Sequence, residues 1–142
     1  MDMEVVFRKH FPFKGFTALT MWPVIFVRAD RKEKFTDKVL RHETTHALQQ
    51  IECYVLGWLL ALAMSLAGFG WWSLIPVGLF FELYLLEWVI KIPFCKFDTN
   101  RAYMSISFER EAYLWQYDKG YNSVRPHFEW RYFIFTIKPK EE

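Results

Sequence analysis

At 142 residues the chain has room for one domain, and 53% of it is hydrophobic and 20% aromatic, with seven tryptophans. A soluble domain of this size cannot easily hide so much aromatic surface, which brings a lipid bilayer forward as a partner. A net charge of +2 excludes the broad basic face of a nucleic-acid binder, and two cysteines, Cys53 and Cys95, are too few for a disulfide framework or a four-thiolate zinc site.

Residues 1–35 read as a small β element. The runs VVF, GFTALT (15–20) and PVIFVR (23–28) are rich in β-branched and aromatic residues, and Pro12, Gly15 and Pro23 punctuate them. The last two suit an antiparallel pair bending near Met21, Trp22 and Pro23, and ADRKEK reads as a closing polar turn. The opening MDMEVVFRKHF lacks the apolar core and cleavage site of a signal peptide, so internal segments are expected to carry any membrane entry.

Thr36 or Asp37 offers an N-cap for a long helix within residues 36–67, from about Asp37 to Leu66, polar in its first half and apolar in its second. From Cys53 to Phe81 no residue is charged. The run is broken by Gly68-Phe69-Gly70 and followed by Pro76, which predicts a helical hairpin with its second apolar helix within 71–91, beginning near Ser73. Pro76 then falls in the first turn, where its missing N–H is tolerated. No Lys or Arg lies between His42 and Ile90, so both basic flanks fall on one side of a two-pass hairpin, the cytoplasmic side by the positive-inside rule. Both termini are then cytoplasmic, at the cell (inner) membrane. The apolar part of the first helix, Tyr54–Leu66, is about 20 Å long at roughly 1.5 Å per residue, shorter than a core of about 30 Å. The alternative is a buried hairpin in a soluble oligomer, and a homo-oligomer is compatible with either arrangement.

Beyond Pro93 a polar loop leads to a predicted helix over 107–120, with Ser107 as N-cap and Gly120 at its C′ position. The tail 121–142 is aromatic, and HFEWRYFIFTIK (127–138) suits a strand or an interfacial helix equally.

The chemistry centres on VLRHETTHAL, which holds H-E-x-x-H. Four residues apart on a helix, His42 and His46 point two imidazoles at one ion, and Glu43 is close enough to reach a metal-bound water without ligating. Zinc lowers the pKa of such a water, and the glutamate takes its proton as it attacks a carbonyl. Thr44, Thr45 and Ala47 are small and uncharged, as a metal face requires. A third ligand must come from downstream, where the next histidine, His127, is too distant in sequence for a short His₃ motif. Carboxylates are the alternative. Glu109 and Glu111, two apart on one predicted helix, cannot both face the metal, and Glu82 and Glu87 are rivals in the second apolar helix. Glu87 suits an interfacial or structural role better than ligation, and Glu52 reads as interfacial too. For a transition-state donor, His127 is the first choice by residue type, with Tyr113, Tyr103 and Arg110 behind it. Gln49 and Gln50 lie on or near the histidine face, where they can orient a ligand, bind substrate or simply line a polar track.

Together, VLRHETTHAL and the downstream E-x-x-A of Glu109–Ala112 resemble the gluzincin metallopeptidases. The likeness is to their integral-membrane members, the CAAX-prenyl-protease and heat-shock membrane protease family and the BlaR-type sensor peptidases. They also resemble small bacterial membrane proteins in which H-E-x-x-H-x-x-Q-Q runs into an apolar hairpin and is followed by S-F-E-R-E-A-Y. The resemblance implies His42, His46 and Glu109 as zinc ligands, with Glu111 as the rival carboxylate, and Glu43 as general base. Tyr113 stands where those peptidases commonly have an aspartate that orients a ligand histidine, so Tyr113 or Glu111 must take that part, or the site is built differently. With the β element read from residues 1–35, the expected fold is mainly α with a small N-terminal β element: minimal zincin-like helices fused to a two-helix membrane hairpin. The implied function is zinc-dependent hydrolysis of a peptide or protein substrate at the cytoplasmic membrane surface, one upstream strand holding it by edge pairing. The alternative is a zinc-binding membrane protein with a regulatory or binding role and no catalysis.

Overall fold

The computed structural model describes residues 2–140. The protein is mainly helical with a small three-stranded sheet at its N-terminal end, as the composition and patterning predict. Strands β1 (Glu4–Arg8), β2 (Ala18–Met21) and β3 (Val24–Arg28) lie in the order β1-β3-β2. The expected antiparallel pair is there: β2 and β3 pair Leu19 with Phe26 and Thr20 with Ile25 across the tight connection at Trp22-Pro23. β1 adds in parallel on the other side of β3. A 3-10 helix (Ala29–Lys34) replaces the expected polar turn. Helices α1 (Asp37–Leu66), α2 (Leu79–Phe94), α3 (Thr99–Met104), α4 (Ser107–Trp115) and α5 (Tyr121–Val124) follow, with further 3-10 segments at Gly70–Gly78 and Glu129–Phe133.

The chain divides into two compact units. One contains the residues up to Leu48 together with Glu111–Pro126, and the other contains Gln49–Arg110 together with the residues from His127 onward. The divisions fall within the residue ranges of α1 and α4.

In the first unit, alternation along the strands turns Ala18, Ile25 and Val27 inward, where Val5, Phe35, Val39 and Leu40 pack on them. Residues 111–126 are tied to the start of α1 by polar contacts. Arg41 Nε donates to the Gln116 carbonyl (2.8 Å), Asn122 Nδ2 donates to the Arg41 carbonyl (3.0 Å), and Thr45 Oγ1 lies 2.9 Å from Asn122 Oδ1. At the C-terminal end of the central strand β3, Arg28 donates two hydrogen bonds to Asp30, which holds that carboxyl below its ordinary range. The pair's contribution is full above the ordinary carboxylate pKa and disappears as pH falls through the depressed value. Asp30 is well exposed, so the effect is small. Asp30→Asn is expected to flatten the acid limb of a stability–pH curve below about pH 4 and leave it unchanged at neutrality.

In the second unit Cys53, Phe80, Ile106, Phe108 and Trp130 form the core. The end of α1 follows from its glycines. Gly68 takes the left-handed conformation (φ +86°), while Gly68 N bonds the Ser65 carbonyl and Phe69 N bonds the Met64 carbonyl, which is the Schellman arrangement. The chain then forms a 3-10 segment through Pro76 where the sequence suggested an α-helix from Ser73, and α2 begins only at Leu79. Gly57 explains part of this path, because a Cβ there would stand 2.1 Å from the Pro76 carbonyl oxygen. Gly57→Ala is expected to cost about 1–3 kcal/mol, read as a lowered unfolding midpoint.

Two further expectations are corrected. Ser107 does not cap α4 as its N-cap; it is the first helical residue, and Ile106 accepts the first backbone bond, from Arg110 N (2.8 Å). The capping comes from α2, where Glu87 accepts from Ser107 N (2.9 Å) and Ser107 Oγ (2.6 Å) while pairing with Lys91. A carboxylate at a helix N-terminus satisfies an orphan N–H and suits the dipole, so Glu87 is structural. Nor does α4 reach residue 120. It stops at Trp115, the chain turns back on Asp118, and Gly120 instead precedes α5. The reversal brings Tyr121 flat against Trp115 (4.7 Å, 10°) and carries Arg125 back to Glu111.

Candidate metal centre

Between His42 and Glu52, α1 is unusual for its buried polar residues: His42, Glu43, Thr45, His46, Gln49, Gln50 and Glu52. Each needs a partner, because an unsatisfied buried polar group is destabilising. Helical spacing brings His42 and His46 together, with their Nε2 atoms 3.1 Å apart and their rings at 84°. Two nitrogens bound tetrahedrally at about 2.0–2.1 Å from one zinc stand roughly 3.3 Å apart, so this convergence suits chelation.

A buried group of His42, His46 and Glu109 offers three ligand atoms within 4.8 Å of one another and can hold a metal ion. The donor set fits a divalent metal on chemical grounds. Glu109 is 2% exposed, and a carboxylate so far from water is satisfied by hydrogen-bond donors or a cation. Two imidazoles and a carboxylate leave a fourth position of a tetrahedral ion open. Tyr84 and Tyr103 both donate to Glu109 Oε1, at 2.6 and 3.0 Å, fixing the carboxylate from α2 and α3. Gln49 reinforces this by donating to the carbonyl of Phe108, the residue just before it (3.1 Å).

Glu43 is held differently. Thr20 on β2 lies with its hydroxyl 2.7 Å from Glu43 Oε2 and 3.1 Å from the Glu43 carbonyl oxygen, so its single proton serves either acceptor. Glu111 is not a member of the group. It is fully buried, forms an ion pair with Arg125 and accepts from Tyr121 Oη (2.9 Å). Tyr113 packs its ring edgewise on that of His42 (4.5 Å). His127 has an 89% exposed side chain 3.5 Å from Glu52, whose carboxylate accepts from Phe128 N (2.9 Å) and Trp130 Nε1 (3.2 Å). Gln50 is buried, and Glu82 is exposed on α2.

Sequence reasoning missed Thr20 and Tyr84, and it considered Tyr103 only as a transition-state donor. Nothing local marks Thr20 or Tyr84, since each acts on a residue more than twenty positions away. A faint signal exists for Tyr84, whose hydroxyl needs a partner in a segment with few polar groups.

No family model matches the chain, and neither the curated proteins nor the solved structures contain a match.

Proposed function

We propose that the protein is a membrane-embedded, zinc-dependent metallopeptidase that hydrolyses peptide bonds at the cytoplasmic membrane surface. The observation that carries this reading is the buried His42, His46 and Glu109 group, with Glu43 beside the first histidine and anchored by Thr20. In this reading the three residues of the group are the ligands. Zinc bound there supplies Lewis acidity, acidifying a water and polarising a carbonyl. Glu43 takes the proton of the attacking water on its carboxylate and returns it to the leaving amine. Thr20 keeps that carboxylate aimed, while Tyr84 and Tyr103 keep Glu109 in place. β2, which carries Thr20, is an edge strand of the sheet, and an extended peptide can add to it by main-chain hydrogen bonds.

Membrane embedding has its own support. Two helical stretches, Asp37–Leu66 and Gly70–Phe94, are long and apolar enough to cross a membrane. Many of their large apolar side chains face outward, among them Val55, Leu59, Leu62, Leu85, Leu86 and Val89, each more than half exposed. Surface of that kind is rare on monomeric soluble proteins. The Lys and Arg residues on both flanks favour a cytoplasmic site.

The test is cleavage of an unfolded protein substrate by purified protein, with and without a chelator. Chelator-sensitive cleavage is the expected result, and a metal-loaded protein that cleaves nothing would contradict the catalytic reading. Thr20→Val should lower turnover about tenfold with metal content unchanged, because it removes the proton that holds the Glu43 carboxylate. A second reading, a zinc-binding membrane protein with a regulatory role, is favoured by one observation: an aromatic residue, Tyr113, packs on His42 at the position where the resembled peptidases commonly carry an aspartate.

A further inference from the structure

We propose that the segment Phe7–Phe16, the end of β1 and the loop after it, with Met21 beside it, docks onto a membrane surface rich in anionic phospholipid headgroups. This rests on the membrane half of the proposed function and is independent of the zinc half. The sequence FRKHFPFKGF interleaves Arg8, Lys9 and Lys14 with four phenylalanines, and no acidic residue occurs between Glu4 and Asp30. Among the described residues no carboxylate pairs with Arg8, Lys9 or Lys14, and all three side chains are exposed. Phe13 is 70% exposed, and Phe7, Phe16 and Met21 are also exposed. Arg8, Lys9, His10, Phe11, Met21 and Phe26 line one open groove, so cationic and apolar groups share a surface.

The loop is held in shape from the sheet side. Arg28 donates to the Pro12 carbonyl (2.9 Å), Arg31 donates to the Gly15 carbonyl (3.0 Å), and Phe16 N bonds the Phe13 carbonyl (3.2 Å). Gly15, at φ +103°, permits the turn. Phe11 anchors the loop edgewise on Phe26 (5.1 Å). What this framework presents outward is a set of aromatic rings ringed by ammonium and guanidinium groups. Rings of that kind settle at the headgroup level while the cations reach phosphates, and the net positive charge selects anionic lipid. An acidic peptide would meet the same charge but leave Phe13 in water, so the bilayer is the better complement.

The experiment places a nitroxide on His10→Cys in the full chain, where Cys53 and Cys95 are buried and escape labelling. The labelled protein is reconstituted into nanodiscs of phosphatidylcholine alone or with phosphatidylglycerol. Accessibility to oxygen and to a water-soluble nickel chelate reports immersion. In the anionic discs, oxygen access should rise and nickel access should fall, with the opposite in phosphatidylcholine. Adding Lys9→Glu and Lys14→Glu should return the label to water, since each basic residue near an anionic surface changes occupancy about fivefold. Equal accessibility in the two lipids would overturn the proposal, as would immersion that survives the charge reversal. If the charge-reversed protein fails to fold, the comparison of the two lipids decides alone.

Discussion

Replacing Glu43 with glutamine is expected to cut peptide hydrolysis by about 10²–10⁴-fold while leaving the metal content unchanged. Glutamine has the same shape, and its amide oxygen can still accept from Thr20, whose hydroxyl lies 2.7 Å from the native carboxylate. What it cannot do is take a proton from water near neutral pH. Glu43 is not a member of the buried ligand group, so binding should survive. A chelator-sensitive cleavage assay, run beside a metal analysis of the same preparation, makes the comparison. Cleavage at the wild-type rate would remove Glu43 from the mechanism, and joint loss of metal and cleavage would make it part of the binding site.

The two carboxylates of α4 should separate just as sharply. Glu109→Ala should weaken metal binding by more than a hundredfold, since altering a group that only orients a ligand already costs about 10–100-fold. Glu111→Ala should retain the metal and lose stability instead. It strips a buried arginine of its carboxylate, with Arg125 3% and Glu111 0% exposed at the side chain, and such a break costs about 3–5 kcal/mol. Metal titration and thermal unfolding of both variants read the difference. The opposite pattern would move the ligand role to Glu111.

What was legible in the sequence is what local chemistry controls. The bounds of α1 follow from Thr36 at one end, whose carbonyl accepts from Leu40 N, and Gly68 at the other. The β2–β3 pair follows from two β-branched runs around Trp22-Pro23. The closeness of His42 and His46 follows from helical spacing alone. The rest depends on contacts distant in sequence. Glu87 caps α4 from 20 positions away, so the Ser107 signal pointed to the right helix through the wrong bond. α4 stops at Trp115 because Tyr121 and Arg125 fold back on it, and no residue inside the helix announces that. Thr20 reaches Glu43 only once the sheet has formed, and Tyr84 reaches Glu109 only once α2 packs beside α4. The motif was readable, and its supports were not.

Metal binding underlies the whole account, and zinc K-edge absorption on the purified full-length chain, normalised to protein, tests it most directly. The account predicts one zinc per chain with imidazole and carboxylate ligands at about 2.0–2.2 Å and no sulfur, since Cys53 and Cys95 are not members of the His42, His46 and Glu109 group. A chain that takes up no zinc, or a spectrum with sulfur at about 2.3 Å, would contradict it.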